Sequence, residues 1–234
     1  MNMEELKKNI TEAFNREEKA KMNTPKLSLI MPVYNQEKLV VRALDSIPLA
    51  KDTQVIIIDD GSTDDSWKKV IEWYDKNFTK IHGNSVICHT ENRGVARAMN
   101  LGFNIAKGEY IISLSSDDYY TTDFEPFRKY LDGKNDLVYF NLEVNDGSIW
   151  HINAENKNIF VGAVKFIRRE FLGDTRVPDL KWSEDYPFSQ ALYAKKPREV
   201  FTDVVLKHYN YPREGSLIWQ AQRKEKRKCQ RLTI

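Results

Sequence analysis

Two adjacent carboxylates, Asp117 and Asp118, close an apolar run from Gly108 to Tyr120 (GEYIISLSSDDYY). At the carboxyl end of a buried strand, such a pair can hold a divalent cation between itself and a diphosphate. Mg2+ and Mn2+ prefer hard oxygen ligands and share them with phosphates. A second acidic tip, Val55 to Trp67 (VIIIDDGSTDDSW), ends an earlier apolar run in the same way. Ligands of open α/β sheets gather outside the carboxyl ends of the strands. Two such tips in one sheet point to a nucleotide–metal site.

The remaining chemistry-bearing clusters each have a plainer structural explanation beside the chemical one. In Asp59-Asp60-Gly61-Ser62 a carboxylate can accept a hydrogen bond from a base N–H, and Gly61 lets the backbone turn close to a ligand. The same residues are ordinary turn and cap formers. Glu91-Asn92-Arg93-Gly94, with Arg97 and Asn100, opens a helix whose first N–H groups favour an anion. A capped helix with exposed arginines reads the same way. Trp182-Ser183-Glu184-Asp185 places carboxylates in a first helical turn, where they complement the helix dipole. Asp185 could also act as a general base, its pKa raised if desolvated beside Trp182. Spacing alone does not bring Asp185 to Asp118.

These residues need a scaffold of strand–helix units. Leu27–Val33, Gln54–Asp59, Ser85–His89 and Glu109–Leu114 read as strands, alternating with helices over 37–47, 64–77 and 93–106. Ser62, Thr63 and Asp64 offer helix caps, and Gly108 stands just past a helix end. Strands that are apolar throughout indicate a mostly parallel sheet covered on both faces. Beyond Tyr120 the alternation loosens. Asp136–Val144 and Ser148–Ile152 flank an Asn-Asp-Gly hairpin turn, 162–171 reads as helical, Ser183 caps a helix to about Lys195, and Glu199–His208 is a last strand. Ahead of the first strand, Leu6, Ile10 and Phe14 mark an amphipathic helix. The expected organisation is therefore a helix over 1–24, one domain over 25–218 and a basic tail over 219–234.

Bulk composition narrows the class. Of 234 residues, 36 are Lys or Arg and 34 Asp or Glu, a net charge of +2, which excludes a general polyanion binder and argues against specific nucleic-acid recognition. Two cysteines, Cys88 and Cys229, fit a reducing compartment. No apolar stretch approaches the roughly 20 residues of a spanning helix, and the polar start MNMEELKKNI is unlike a signal peptide. A cytoplasmic protein is expected. The tail residues Arg223, Lys224, Lys226, Arg227, Lys228 and Arg231 form a solvated face or a peripheral contact with anionic lipid at the inner membrane surface.

Four segments in order, LSLIMPVYNQE, VIIIDDGSTDDS, ENRGVARAMNLGFNIAKGEYIISLSSDD and SEDYPF, resemble glycosyltransferase family 2, the inverting enzymes of GT-A fold. The resemblance covers about Lys26 to Asp118, with weaker echoes to Ser216. It implies a Rossmann-like, mostly parallel sheet with helices on both faces, divided into a nucleotide-sugar half (25–120) and an elaborated acceptor half (121–218). Pro32, Val33 and Tyr34 would border the base, and Asp60 would accept from the uracil N3–H. Arg93 or Arg97 would face the nucleotide. Asp118 would ligate Mn2+ or Mg2+, and Asp117 would contact ribose or sugar. Asp185 would be the base, paired with Glu184. The implied partners are a UDP-sugar and a glycan, polymer or protein acceptor with a free hydroxyl.

Two departures from the family pattern stand out. Ser115 replaces the first carboxylate of the D-x-D signature, and Arg213 occupies the position of a late histidine, where its charge could steady the departing diphosphate. His208 lies nearby as a substitute. The competing classes are a non-catalytic sugar-nucleotide or nucleic-acid binding module and a nucleotidyltransferase. The latter would carry a Gly-rich basic loop where this chain has VYNQEKLV.

Overall fold

The computed structural model describes residues 24–81, 83–159, 162–180 and 184–211. The helix expected over 1–24 and the basic tail therefore lie outside the described residues, but for Thr24. The elements run β1 (Leu27–Val33), α1 (Val40–Asp45), β2 (Thr53–Asp59), α2 (Ser66–Asn77), β3 (Val86–His89), α3 (Val95–Ile105), β4 (Tyr110–Ser113) and β5 (Tyr119–Tyr120). Next come β6 (Leu137–Val144), β7 (Ile149–Trp150), β8 (Lys165–Arg168), α4 (Arg169–Leu172), α5 (Asp185–Tyr193) and β9 (Glu199–Tyr209).

All nine strands join one sheet in the order β3-β2-β1-β4-β8-β6-β9-β5, with β7 on β6. Its longest pairings are parallel: β1 with β2, β1 with β4, β2 with β3, and β6 with β9. The short pairings of β4 and β6 with β8, and of β5 with β9, are antiparallel. The halves distinguished in the sequence thus share one continuous sheet. β2 is buried at every position and β1 at all but Pro32, which is why both read as unbroken apolar runs.

Pro32 shows how the sequence opens a cleft. Leu114 N–H donates to the Ile30 carbonyl at 3.0 Å, so Ile30, and with it Pro32 two residues on, faces β4. β4 stops pairing at Ile30. The N–H that Pro32 lacks would have pointed into the gap where β1 and β4 part, so proline costs no ladder bond there.

Two readings are corrected. Residues 162–171 are not one helix. Lys165–Arg168 form β8, inserted between β4 and β6, and only Arg169–Leu172 are helical. Phe166 packs on Phe124, Phe127 and Phe140, whereas Lys165 and Ile167 face a cavity on the other side. That alternation belongs to a strand, and strand pairing overrides local helix preference. Gly108 is not a helix cap either. A Cβ there would come within 2.4 Å of the Leu27 and Ser28 backbone, so glycine is required by close approach.

Asp136, at the start of β6, clamps the second half. It accepts from Arg168 Nε and Nη2 at 3.0 and 2.7 Å, and from Arg198 N–H and Nε at 2.8 and 3.1 Å. Burial works to raise its pKa, but the bonds from Arg198 and Arg168 outweigh it and hold the carboxyl down at about 2. Among the described residues no helix is long and apolar enough to cross a membrane.

Candidate active site

The side expected to border the nucleotide is built from the ends of β1 and β2. Asn35 turns the chain after β1 in the left-handed region (φ 49°), its side-chain oxygen accepting from Thr63 N–H at 2.8 Å. Ser62 Oγ accepts from Asn35 N–H at 2.9 Å, and Ser66 Oγ accepts from Gln36 N–H at 2.7 Å. The segment from Asp60 to Ser66 therefore laces the β1 and β2 loops together, and neither Ser62 nor Ser66 caps α2. Val33 is buried and Tyr34 exposed.

Asp60 is nearly buried and works inside the protein. Its Oδ1 accepts from Arg93 N–H at 2.9 Å and its Oδ2 from Gly94 N–H at 2.8 Å, so it shapes the turn into α3. Gly61 (φ +74°) comes close to protein, since a Cβ there would lie 2.6 Å from Asn92 N. Both arginines expected near the nucleotide are engaged elsewhere. Arg93 pairs with Glu91 at 2.9 Å and Arg97 with Asp179 at 2.8 Å. The cavity face of α3 is formed instead by Val95, Met99 and Phe103.

The acidic lip divides its two carboxylates between surface and interior. Asp118 is 1% exposed; its Oδ1 accepts from Asn210 N–H at 3.0 Å, and its Oδ2 lies 3.0 Å from Lys207 Nζ. Asp117 is half-buried, and its carbonyl accepts from Arg42 Nη2 at 2.9 Å. Asp118 Oδ2 is buried beside the Lys207 ammonium without a hydrogen-bond partner, so it keeps lone pairs that a divalent ion could take. Asp117 is the more exposed of the two residues. Among the described residues no three His, Cys, Asp or Glu side chains gather into a metal cluster. A single hard carboxylate completed by diphosphate oxygens still suits Mg2+ or Mn2+.

His208, the possible substitute for the late histidine, sits on β9 beside Tyr119. Its ring packs on Tyr119 at 4.6 Å between centroids, its Nδ1 is buried without a hydrogen-bond partner, and burial pushes its pKa down. Arg213, like Trp182 and Ser183, lies outside the described residues.

Across the gap, α5 begins with Asp185, preceded by Glu184. Both line a cavity of about 160 Å³ with Pro32 from β1, Ser113–Ser115 from the end of β4, and Gly162 and Lys165 from β8. Asp185 is exposed at the surface, while protein packs around its carboxylate within the recess. That crowding raises its pKa, and the ammonium groups of Lys165 and Lys207 oppose the rise. Burial likewise raises Glu184, with Asp185 adding to it. Tyr209 links the two acidic groups. Burial pushes its hydroxyl up to about 12, and Asp118, Asp117 and Asp185 all contribute.

The fold therefore unites Pro32, Ser115, Glu184 and Asp185 around one cavity, with the Asp117–Asp118 lip beside it, and leaves Arg93 and Arg97 on side-chain partners outside it. Lys165, Lys207 and Tyr209 are the residues that motif reading passed over. A lysine inside each of two apolar strand runs (VKFI and VLKHY) was the available signal.

Comparison with known proteins agrees with this fold. GlyG of Streptococcus pneumoniae, a glycosyltransferase, is 30% identical over 157 residues, covering 63% of this chain and 50% of that protein. Of the next two curated relatives the chain spans 19% and 18%. TarS of S. aureus, solved with UDP-GlcNAc, superposes with a TM-score of 0.67 at 24% identity, covering 82% of this chain and 60% of that one. A mannosyltransferase from Pyrobaculum calidifontis, solved with GDP-Man and Mn2+, gives 0.66 at 19% identity, covering 85% and 61%. These likenesses carry the fold. The model of glycosyl transferase family 2 matches residues 28–197, strand β1 through the helix that bears Asp185, and the chain belongs to that family.

Proposed function

We propose that this chain transfers a hexosyl or N-acetylhexosaminyl group from a UDP-sugar to an acceptor hydroxyl, with inversion at the anomeric carbon. The observation that carries this reading is the facing of Asp185 and the β4 end across one cavity, with the Asp117 lip beside it. Pro32, Val33 and Tyr34 would border the base, and Asp60 would meet it with lone pairs left over from Arg93 and Gly94. Asp185 takes the proton of the acceptor hydroxyl. The acceptor oxygen then bonds to the anomeric carbon as the carbon–oxygen bond to the diphosphate breaks, and UDP leaves. Attack from the side opposite the leaving group inverts the centre.

A divalent ion, Mn2+ or Mg2+, would be held by Asp118, with Asp117 toward ribose or sugar, and would supply positive charge to the departing diphosphate. Asp118 also ties the lip to β9 through Lys207. The acceptor is a glycan, polymer or protein hydroxyl. Its site lies toward the second half of the chain, where the family resemblance is weakest. A cytoplasmic setting, with peripheral contact through Arg223–Arg231, is tested by vesicle flotation with and without residues 219–234.

UDP release from a panel of UDP-sugars, with and without Mn2+, tests the whole reading. Turnover by the wild type, lost in Asp185→Asn while UDP binding persists, is the expected outcome. Equal rates in both proteins, or none with any donor and acceptor, would return the chain to a non-catalytic binding module.

A further inference from the structure

Lys165 stands in β8, in an otherwise apolar wall, and is almost wholly buried. A buried ammonium is costly unless hydrogen-bonded or paired. Its Nζ donates to Ser189 Oγ at 3.1 Å and reaches the Gly162 carbonyl at 3.5 Å. It lies over the rings of Tyr139 and Tyr193, 5.9 and 6.0 Å from their centroids. Ser189 is one turn along α5 from Asp185, so Lys165 grips the helix face that carries the acid. Gly162 completes the arrangement, because a Cβ there would meet Asp185 Oδ2 at 3.3 Å. The carboxylate thus rests near the backbone segment whose carbonyl Lys165 engages. Both side chains line the same cavity.

We propose, on the reading that Asp185 is the base, that Lys165 is its positioning residue. The ammonium, anchored on Ser189 and Gly162, keeps the Asp185 carboxylate ionised and aimed into the cavity. A carboxyl so crowded tends to retain its proton and then cannot accept one from an acceptor hydroxyl. The charged groups facing this pair come from three elements and their flanks. Asp185 and the preceding Glu184 belong to α5 and its lead-in, and Lys207 on β9 acts on Asp185. Glu199, also on β9, acts on Lys165 but is already engaged by Tyr139 Oη at 2.8 Å and by Lys157. Burial lowers the Lys165 pKa to about 8, with Asp185 and Glu199 opposing. The cation is therefore present at neutral pH and lost in mildly alkaline solution.

Carboxyl-carbon NMR of the full chain, with Asp185→Asn identifying the resonance, reads the effect without any substrate. Lys165→Met is expected to raise the Asp185 midpoint by about one pH unit or more, because a nearby cation favours the ionised carboxylate. Lys165→Arg should stay close to wild type, and Ser189→Ala, which keeps the ammonium but frees it, should fall between. UDP affinity measured by calorimetry should be unchanged in all three. A lysine that only supports the fold would lower the melting temperature and leave the Asp185 midpoint in place, and that result overturns the proposal. Should Lys165→Met not fold, an unmoved midpoint in Ser189→Ala has the same force. If Asp185→Asn still releases UDP from UDP-sugars at the wild-type rate, the base assignment itself fails. Lost turnover in Asp185→Asn, with no shift in Lys165→Met, sinks the role of Lys165 alone.

Discussion

Lys207 Nζ and Asp118 Oδ2 lie 3.0 Å apart, with the two residues only 3% and 1% exposed. The acidic lip is thereby fastened to the last strand through Asp118, while the adjacent Asp117 is only half-buried.

Removing one partner of this pair should be severe. Lys207→Met leaves a buried carboxylate without its counter-charge, and loss of one partner of a buried pair costs about 3–5 kcal/mol. Urea denaturation should show that loss in the single variant and recover most of it in Lys207→Met/Asp118→Asn. A single variant as stable as wild type would mean the pair does not hold the lip.

Metal binding should depend on the nucleotide. One carboxylate is a poor site for Mn2+, so electron paramagnetic resonance should detect weak binding to the protein alone and tighter binding once UDP is present. Asp118→Asn, in a folded variant, should remove the gain from UDP. Loss of that gain only in Asp117→Asn, with folded Asp118→Asn unaffected, would move the ligand to Asp117.

Asp185→Asn should lower kcat by about 10²–10⁴-fold, the usual contribution of a positioned proton acceptor, with UDP affinity retained. Because crowding raises the Asp185 pKa, the acid limb of the rate profile should fall above the ordinary aspartate range. An acid limb at or below that range would show that another group accepts the proton.

Acid stability should report on Asp136. Its folded pKa of about 2 lies below the ordinary aspartate value of 3.8, so its contribution is complete above the unfolded value and fades as pH falls through the folded one. That difference corresponds to about 2 kcal/mol at neutral pH. Asp136→Asn should therefore be destabilised at pH 7 and approach wild type near pH 2. A gap of constant size across that window would show that the arginine bonds do not favour the ionised carboxyl.

Much of this was legible before folding. The apolar runs of β1, β2 and β4 announced buried parallel strands, and the acidic residues at the tips of β2 and β4 marked their carboxyl ends. The order of LSLIMPVYNQE, VIIIDDGSTDDS, SLSSDD and SEDYPF announced the family. The strand over Lys165–Arg168 was not legible, since four residues carry too little periodicity to reveal a pairing made with β4 and β6. Nor were the partners of Arg93 and Arg97, because a guanidinium at a helix start can turn to a bound anion or to the nearest carboxylate.

The chain's own order of residues determined which side chains are acidic, which runs are buried and that the acids stand at strand and helix ends, because burial and strand or helix character leave local periodic marks. Tertiary structure alone decided that Asp118 is tied to Lys207, which lysines stand beside the acids of the recess, and that Asp185 shares a cavity with the end of β4. Those relations join residues far apart in the chain, as Asp118 meets Lys207 and Lys165 meets Ser189. Long-range electrostatic pairing leaves no periodic trace in a sequence; it exists only once the sheet has closed.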